Sequence, residues 1–311
     1  MTGRVVCLGA HIVDILGRPV TDIPPGQGRR VLEEIRITAA GTAAGTAVDL
    51  AKLGADVVSM GPIGRDRLGD FLIGVLGEYG IETRYLTRKA EAATPATMLP
   101  IRPNGERPAL HAPGAMTALT GDDVDLDAIA AADVLHVGGP DVLGRFTTCA
   151  RPGVLRHARD SGVLVTMDLL SVGDGRTLER LAPALAHTRY FLPNDDQLRT
   201  ITGRDDLARA AADVLALGVE CVAVTRGADG SLLVTADGAI EVPALDVPIV
   251  DTTGCGDAYS AGLITGLLRG DPPREAARLA TAAAAQVAGG LGSDAGIVDL
   301  PSTEAFLVSA R

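Results

Sequence analysis

The amino-acid sequence predicts an α/β protein whose doubly wound, mostly parallel sheet carries helices on both faces. Short runs rich in β-branched residues alternate with alanine- and leucine-rich segments along most of the 311 residues, and this alternation is typical of βαβ units. The β-branched runs are almost wholly apolar, as expected of strands that are buried on both faces. Two segments interrupt the alternation, and they predict a small antiparallel β lid beside the sheet.

The elements are predicted in chain order from these runs. The first strand is VVCLGAHIV at 5, and a helix at 41 (GTAAGTAVDLAKLG) precedes a strand at 55 and a helix at 66. Further strands begin near 132, 162, 189 and 219, and helices are expected around 143–160, in two stretches before 217, and near 281. We expect them to form one domain, 1–311, with the lid inserted in it.

The lid is predicted from residues 16–38 and 94–113. In the first segment a PPGQG turn precedes three apolar residues at the period of a strand, Val31, Ile35 and Ile37. In the second, an Asn-Gly pair at 104 separates two extended arms, which is the strongest short-range signal for a hairpin. Three prolines in this segment suit edge strands, because proline cannot donate to a central ladder. Such a lid covers a site or forms an interface.

The composition excludes several classes of function. A net charge of -11, aromatic residues at 3% and no tryptophan argue against a nucleic-acid partner. No apolar run reaches the roughly 18 to 20 residues that span a bilayer. The four cysteines, at 7, 149, 221 and 255, form no C-x-x-C pair, and the five histidines have no ligand spacing. We therefore expect neither disulfides nor a zinc site, and a cytoplasmic location.

The stretch VDTTGCGDAYSAG at 250 is the strongest candidate for a functional site. It follows VPIV, which is predicted as a strand, and leads through glycines into a helix. The free amides at a helix start can hold an anion. Asp257 is then either an ordinary first-turn acid or a base that takes a proton from a substrate hydroxyl while the amides stabilise a phosphoryl group.

DTTGCGDAYSAG resembles the C-terminal signature D-T-x-G-A-G-D-x-F of the ribokinase-like, or PfkB, carbohydrate kinase family. Four further segments resemble the family's in the same order: AGTAAGTAVDLAKLG at 40 (G-G-x-x-A-N), GPIGRDRLGDFLIGVLGEYGIET at 61, PNDDQLRTITG at 193 (N-x-x-E) and AVTRGADGSLLV at 223 (T-x-G-x-x-G). The resemblance covers nearly the whole chain. It implies a ribokinase-like fold and an ATP-dependent kinase that phosphorylates a hydroxyl group, such as a hydroxymethyl group, of a sugar or sugar derivative.

The resemblance also implies roles for individual residues. Asp257 matches the general base, for which an ordinary pKa near ~4 would be adequate. The anion hole is matched by the amides of Gly254, Cys255 and Gly256, and the substrate site by Asp14, Gly41 and Gly45. The ATP site, which also uses Mg²⁺, is matched by Asn194, Thr225, Gly227, Gly230 and Thr281. Asp251, Thr253 and Gly292 match a monovalent-cation site of some members, which makes K⁺ a candidate activator.

The chain departs from the family pattern at several positions. Ala40 replaces the first glycine of the G-G pair, and Gly45 replaces an asparagine that contacts sugar, which puts ribose in doubt. Gln197 replaces the glutamate linked to magnesium through water, so either a neighbouring aspartate substitutes or the metal dependence differs. Cys255 replaces alanine, and its thiol at a helix start is either activated by a lowered pKa or buried and inert.

Two alternatives to a sugar kinase remain open at the level of sequence. One is a nucleoside kinase of the same fold, and the other is a sugar-binding or regulatory protein that has lost turnover. ADP release with a panel of sugars and nucleosides separates them. A homodimer through the lid is expected by analogy with the family, because exposed sheet edges invite pairing.

Overall fold

In the described part of the chain, the main sheet has nine strands. The computed structural model describes residues 3–144 and 152–310, and elements are numbered in chain order. The strands of this sheet are β1 (Arg4–Gly9), β4 (Asp56–Gly64), β5 (Glu82–Lys89), β8 (Val134–Gly138), β9 (Leu164–Asp168), β10 (Tyr190–Phe191), β11 (Cys221–Thr225), β12 (Ser231–Thr235) and β13 (Gly238–Val242). They lie in the order β13-β12-β11-β10-β9-β8-β1-β4-β5. All pairings are parallel except those of β12 with β11 and β13.

Four strands form a second sheet, which we call the small sheet. They are β2 (Ile12–Arg18), β3 (Glu34–Ala40), β6 (Ala96–Pro100) and β7 (Leu110–Ala112), in the order β3-β2-β6-β7. The outer pairings are antiparallel and the central pairing, β2 with β6, is parallel. The interruptions of the predicted alternation therefore form a separate sheet.

The predicted first strand is divided between the two sheets. β1 ends at Gly9, whose φ is +142°, and a Cβ atom added there would lie 2.0 Å from the carbonyl oxygen of Gly138. Only glycine permits this approach and this backbone angle. The chain turns here, and β2 of the small sheet begins at Ile12, earlier than the sequence predicted.

The helices cover both faces of the main sheet, as predicted. They are α1 (Ala44–Lys52), α2 (Arg67–Glu78), α3 (Leu126–Ala130), α4 (Pro152–Asp160), α5 (Thr177–Leu185), α6 (Asp195–Thr202), α7 (Leu207–Leu215), α8 (Cys255–Arg269), α9 (Pro273–Ala288) and α10 (Leu300–Ser309). Apolar residues of α1, α2, α8 and α9 pack on one face, and those of α3 to α7 on the other. Part of the helix predicted at 143–160, with Cys149, lies outside the described residues. Within the described ranges, no helix is long and apolar enough to cross a membrane.

Helix α8 packs against α9 at very short range. A Cβ atom added at Gly262 would lie 2.6 Å from the Cα of Ala280, and one at Gly266 would lie 2.7 Å from the Cα of Ala276. The absence of side chains at the two glycines lets the helix backbones touch, and every residue from 257 to 266 is buried. The alanine-rich tract near 281 is therefore the closely packed helix that its composition predicted.

The predicted strand VPIV does not form. Its residues lie in an irregular segment between β13 and α8, and the amide of Val250 donates to the carbonyl of Ala288 at 2.8 Å. Pro248 has no amide hydrogen for a ladder, and the C-terminus of α9 supplies the acceptor instead. This bond fixes the approach of the chain to the glycine-rich turn, residues 251–256.

Candidate active site

The glycine-rich turn places an open helix N-terminus at the site. Gly254 adopts a φ of +81° immediately before α8, and a Cβ atom there would lie 2.4 Å from the Cα of Ser293. No side chain caps α8, and the amide of Cys255 makes only a long bond of 3.4 Å to the carbonyl of Thr252. First-turn amides without partners, at the positive end of the helix dipole, form an anion site.

Asp257 rests in a notch that Gly45 leaves on α1. A Cβ atom added at Gly45 would lie 2.3 Å from Oδ2 of Asp257 and 2.9 Å from its Cγ. The carboxylate therefore occupies the space that the family's asparagine side chain would need. Glycine at position 45 therefore leaves room for the carboxylate of Asp257, and the substrate site lacks a polar side chain at this position.

The pKa of Asp257 is higher than the ordinary value that the sequence analysis took as adequate for a base. Burial and the neighbouring charge of Asp14 raise it from 3.8 to about 7, and the positive charge of Arg107 opposes them. A carboxylate with this pKa is a stronger base than an exposed aspartate, and it is still substantially ionised at neutral pH. An ordinary pKa near ~4 would have been adequate for the base, and the sequence does not reveal the burial that raises the pKa of Asp257.

Asp14 approaches the site from the small sheet. It is buried on β2 between Thr38 of β3 and Thr97 of β6, and burial raises its pKa to about 6. The electrostatic effect of Asp14 on Asp257 indicates that the two carboxyl groups are near neighbours. Gly41, with a φ of +85°, allows the sharp bend from β3 into α1 that brings the two sheets together.

A cavity of about 630 Å³ adjoins the turn and brings together most of the predicted nucleotide residues. Its walls include Thr225, Gly227, Gly230 and Thr281, together with Cys255 and Gly256. This size is within the range for small-molecule sites. Asn194 is not part of its wall. Its side chain caps α6 by accepting from the amide of Gln197.

Gln197 is fully engaged in structural hydrogen bonds. Its Oε1 accepts from the amide of Asn194 at 2.8 Å, and its Nε2 donates to the carbonyls of Leu169 at 3.2 Å and Ser171 at 3.1 Å. The amide thus holds the segment that follows β9. The two neighbouring aspartates are poor substitutes for the family's glutamate. Asp195 forms an ion pair with Arg199, and the side chain of Asp196 is 80% exposed to solvent.

Hydrogen bonds join the three residues that were matched to a monovalent-cation site, Asp251, Thr253 and Gly292. Oδ1 of Asp251 accepts from the amide and hydroxyl of Thr253 at 3.0 and 2.8 Å, and Oδ2 accepts from the amide of Gly292 at 3.0 Å. Asp251 is completely buried. In this structure the three residues bind one another and brace the turn against the segment after α9.

The thiol of Cys255 is not activated. Burial raises its pKa to about 12, and the opposing effect of Arg107 is smaller. The lowered pKa that a helix start suggests is therefore not found, because burial and the neighbouring aspartates disfavour the thiolate. The inert alternative is the one that this geometry supports.

The sequence analysis missed three charged residues near the site. Arg107, between β6 and β7, donates from Nε to Oγ1 of Thr252 at 3.2 Å. Asp168, at the end of β9, accepts from Ser260 at 3.3 Å, and burial followed by the charge of Asp257 raises its pKa. Asp49, one turn beyond Gly45 on α1, is completely buried, and neither of its carboxylate oxygens has a hydrogen-bond partner in the described part of the chain.

Some of these residues carried a usable signal in the sequence. Asp168 stands directly after an apolar strand, where the carboxyl ends of parallel strands gather polar groups, and Asp49 is an acid inside an apolar helix. Arg107 had no such signal, because only the fold of the small sheet brings it to the turn.

Comparison with known proteins identifies a family. The sequence model described as pfkB family carbohydrate kinase matches residues 2–299. The chain is 32% identical to a 1-phosphofructokinase of Haloferax volcanii over 262 residues, with 81% of each chain covered. It is 28% identical to a fructokinase of Klebsiella pneumoniae over 302 residues, covering 95% of this chain and 94% of the relative.

A solved structure has the same fold. It is that of a putative Ribokinase II from E. coli in complex with ATP and Mg²⁺, with a TM-score of 0.86 and 20% identity over 99% of this chain and 100% of that chain. The predicted ribokinase-like fold is therefore confirmed.

Activity is expected to depend on the ionisation of Asp257. Since only the carboxylate form accepts a proton and its pKa is about 7, kcat/KM should rise with pH and reach half of its plateau near pH 7. A pH profile from 5 to 9 measures this. A profile already flat at pH 5 would contradict the assignment of Asp257 as base.

The raised pKa of Asp257 also predicts that the stability of the protein changes with pH. Because the folded-state pKa of Asp257 lies above its ordinary value of 3.8, the folded protein binds a proton that the unfolded chain lacks between about pH 4 and 7. The free energy of unfolding should fall as pH rises through this window. Thermal unfolding of Asp257→Asn should show less of this fall than the wild type.

Proposed function

Because the chain belongs to the pfkB family of carbohydrate kinases, we propose that it transfers the terminal phosphoryl group of ATP to a hydroxyl group of a sugar or sugar derivative. One observation carries the proposal: a buried carboxylate with a raised pKa lies in the first turn of an uncapped helix. The amides of that turn open beside a nucleotide-sized cavity. A proton acceptor next to an anion site is what phosphoryl transfer to an alcohol requires.

The chain's own residues divide the work between the two sides of the site. Asp14 of the small sheet holds hydroxyl groups of the acceptor, and its carboxylate can accept two hydrogen bonds. Asp257 removes the proton of the attacking hydroxyl. The amides of Gly254, Cys255 and Gly256 stabilise the charge of the transferred group without reorganisation.

The acid that would hold Mg²⁺ through its water shell is Asp168. Mg²⁺ prefers carboxylate oxygens and keeps several waters, whereas the neutral Oε1 of Gln197 accepts from the amide of Asn194 within the cap of α6. A Cβ atom at Gly256 would lie 4.0 Å from Oδ2 of Asp168, so this buried carboxylate faces the anion site. When bound there, Mg²⁺ neutralises charge on the ATP phosphates.

Asp168→Asn should raise the Mg²⁺ concentration that gives half of the maximal rate, by about tenfold. Binding of Mn²⁺ to the protein–ATP complex, followed by its electron paramagnetic resonance signal, should weaken in parallel. Gln197→Glu serves as the comparison. An unchanged metal requirement in the Asp168→Asn variant would remove Asp168 from this role.

The function is tested with a panel of ketoses, aldoses, sugar acids and nucleosides, with and without K⁺, by measuring ADP release. We expect turnover with a sugar or sugar derivative, and loss of it by roughly 10²-fold or more in Asp257→Asn, while ATP binding stays within a few-fold. Turnover confined to nucleosides would favour the nucleoside kinase. Sugar binding without ADP release would favour a silent binding protein.

We further propose a homodimer formed through the outer face of the small sheet. Strand alternation directs Asp14, Thr38 and Thr97 to one face. The other face carries an apolar row across the four strands in register, Ile37, Ile15, Met98 and Leu110. Three of these side chains are 51 to 57% exposed, and a contiguous exposed apolar patch is typical of an interface.

Met98→Glu should convert the dimer to a monomer, because a charge at the centre of the row would be buried without a partner. Sedimentation velocity measures the change. Val298→Glu, at an exposed apolar residue outside the small sheet, is the control and should remain dimeric. A wild-type protein that sediments as a monomer at micromolar concentration would disprove the dimer.

We also propose the expected cytoplasmic location. Within the described residues Cys7, Cys221 and Cys255 form no disulfide, which is consistent with a reducing compartment.

A further inference from the structure

The connection between β6 and β7 reaches from the small sheet to the glycine-rich turn. Its Arg107 donates from Nε to Oγ1 of Thr252 at 3.2 Å, across a separation of 145 residues in the sequence. Thr252 also lines the nucleotide cavity. Arg107 therefore stands where the cavity meets the anion site, although it belongs to a different sheet from the turn.

The charge of Arg107 acts on three groups that come from two different elements. It opposes the upward pKa shifts of Asp14 on β2, Asp257 on α8 and Cys255 at the start of α8. The guanidinium group, held at Thr252, is thus within electrostatic reach of both the acceptor side and the anion-hole side of the site. In the reaction proposed above, the group that passes between these two sides is the transferred phosphoryl group.

The carboxyl groups around Arg107 indicate a specific role for its guanidinium group. The site is rich in carboxyl groups, contributed by Asp14, Asp168, Asp251 and Asp257, and it has to admit a highly charged phosphate chain. Among the described residues, the two Nη nitrogens of Arg107 have no hydrogen-bond partner, and the residue is exposed. A guanidinium group with two free donors matches the oxygens of a phosphoryl group in a bidentate manner.

We propose that Arg107 is a catalytic residue that binds the phosphoryl group during its transfer, and this inference rests on the proposed function. In that step the bond between the acceptor oxygen and phosphorus forms, and the bond from phosphorus to the β-phosphate oxygen breaks. The electron pair of the broken bond stays on ADP, and the proton of the hydroxyl goes to Asp257. Arg107 keeps its own protons throughout and stabilises the equatorial oxygens.

The placement of Arg107 also couples the small sheet to the chemistry. The same sheet carries Asp14, so an acceptor bound to Asp14 and a phosphoryl group bound to Arg107 hold the small sheet to the main sheet from both sides. Catalysis then requires the small sheet to be in place, which limits transfer of the phosphoryl group to water.

Arg107→Gln and Arg107→Lys test the proposal, with Arg102→Gln as the matched control. Arg102 is in the same connection, but its guanidinium group donates to the carbonyls of Val20 and Thr21, away from the site. We expect Arg107→Gln to lower kcat by ~100-fold or more, Arg107→Lys to retain part of the rate, and Arg102→Gln to retain nearly all of it. Thermal unfolding verifies that each variant is folded.

A binding measurement separates this role from its alternatives and needs no acceptor. By calorimetry, Arg107→Gln should lose about tenfold in affinity for a non-hydrolysable ATP analogue, and should bind ADP as the wild type does. Equal losses for both nucleotides would indicate a general effect of charge or of loop structure and would overturn the proposal.

Two further outcomes also decide the matter. Wild-type kcat in Arg107→Gln would overturn the proposal. A rate loss confined to acceptors that carry an anionic group would assign Arg107 to acceptor recognition instead and would likewise overturn it. If no acceptor in the panel is phosphorylated, the proposed function fails, whereas the difference between ATP analogue and ADP binding still tests Arg107 on its own.

Discussion

The site depends above all on how closely α8 lies against its neighbours. Gly262 and Gly266 let the backbone of α8 touch that of α9, and Gly45 lets α1 receive the side chain of Asp257. Interiors packed at this density do not deform gradually, so the N-terminus of α8, its amides and its carboxylate have fixed positions. The start of α8 stays open because the close packing of the rest of the helix holds it in place.

The electrostatics of the site follow from the same packing. Burial within this tight arrangement raises the pKa of Asp257 to about 7 and that of Asp14 to about 6, while leaving the Cys255 thiol unreactive. A site with so many carboxyl groups would repel a phosphate chain. In the proposed reaction, the compensating positive charge comes from the amides at the start of α8, which packs on the main sheet, and from Arg107 of the connection between β6 and β7. The balance between burial and these charges determines the pH range in which Asp257 is ionised.

Much of this could be predicted from the sequence, since the turn, Asp257 and its amides lie within a few consecutive residues. The strand and helix alternation was also readable, because each element has its own apolar period. The division of the first strand at Gly9 and the loss of the strand at 247–250 were not, as both depend on contacts with distant carbonyls, of Gly138 and Ala288. Arg107 was invisible for the same reason. For Gln197, the sequence showed only that it replaces the glutamate of the N-x-x-E segment. Its hydrogen bonds to Asn194, Leu169 and Ser171 appear only in the structure.

The room that Gly45 leaves for Asp257 links two positions that are far apart in the chain. With a Cβ atom only 2.3 Å from the carboxylate, any larger residue at 45 requires the base to move, so the two positions can change only in concert. Grafting a relative's asparagine onto this protein would therefore disturb the chemistry before it altered substrate choice.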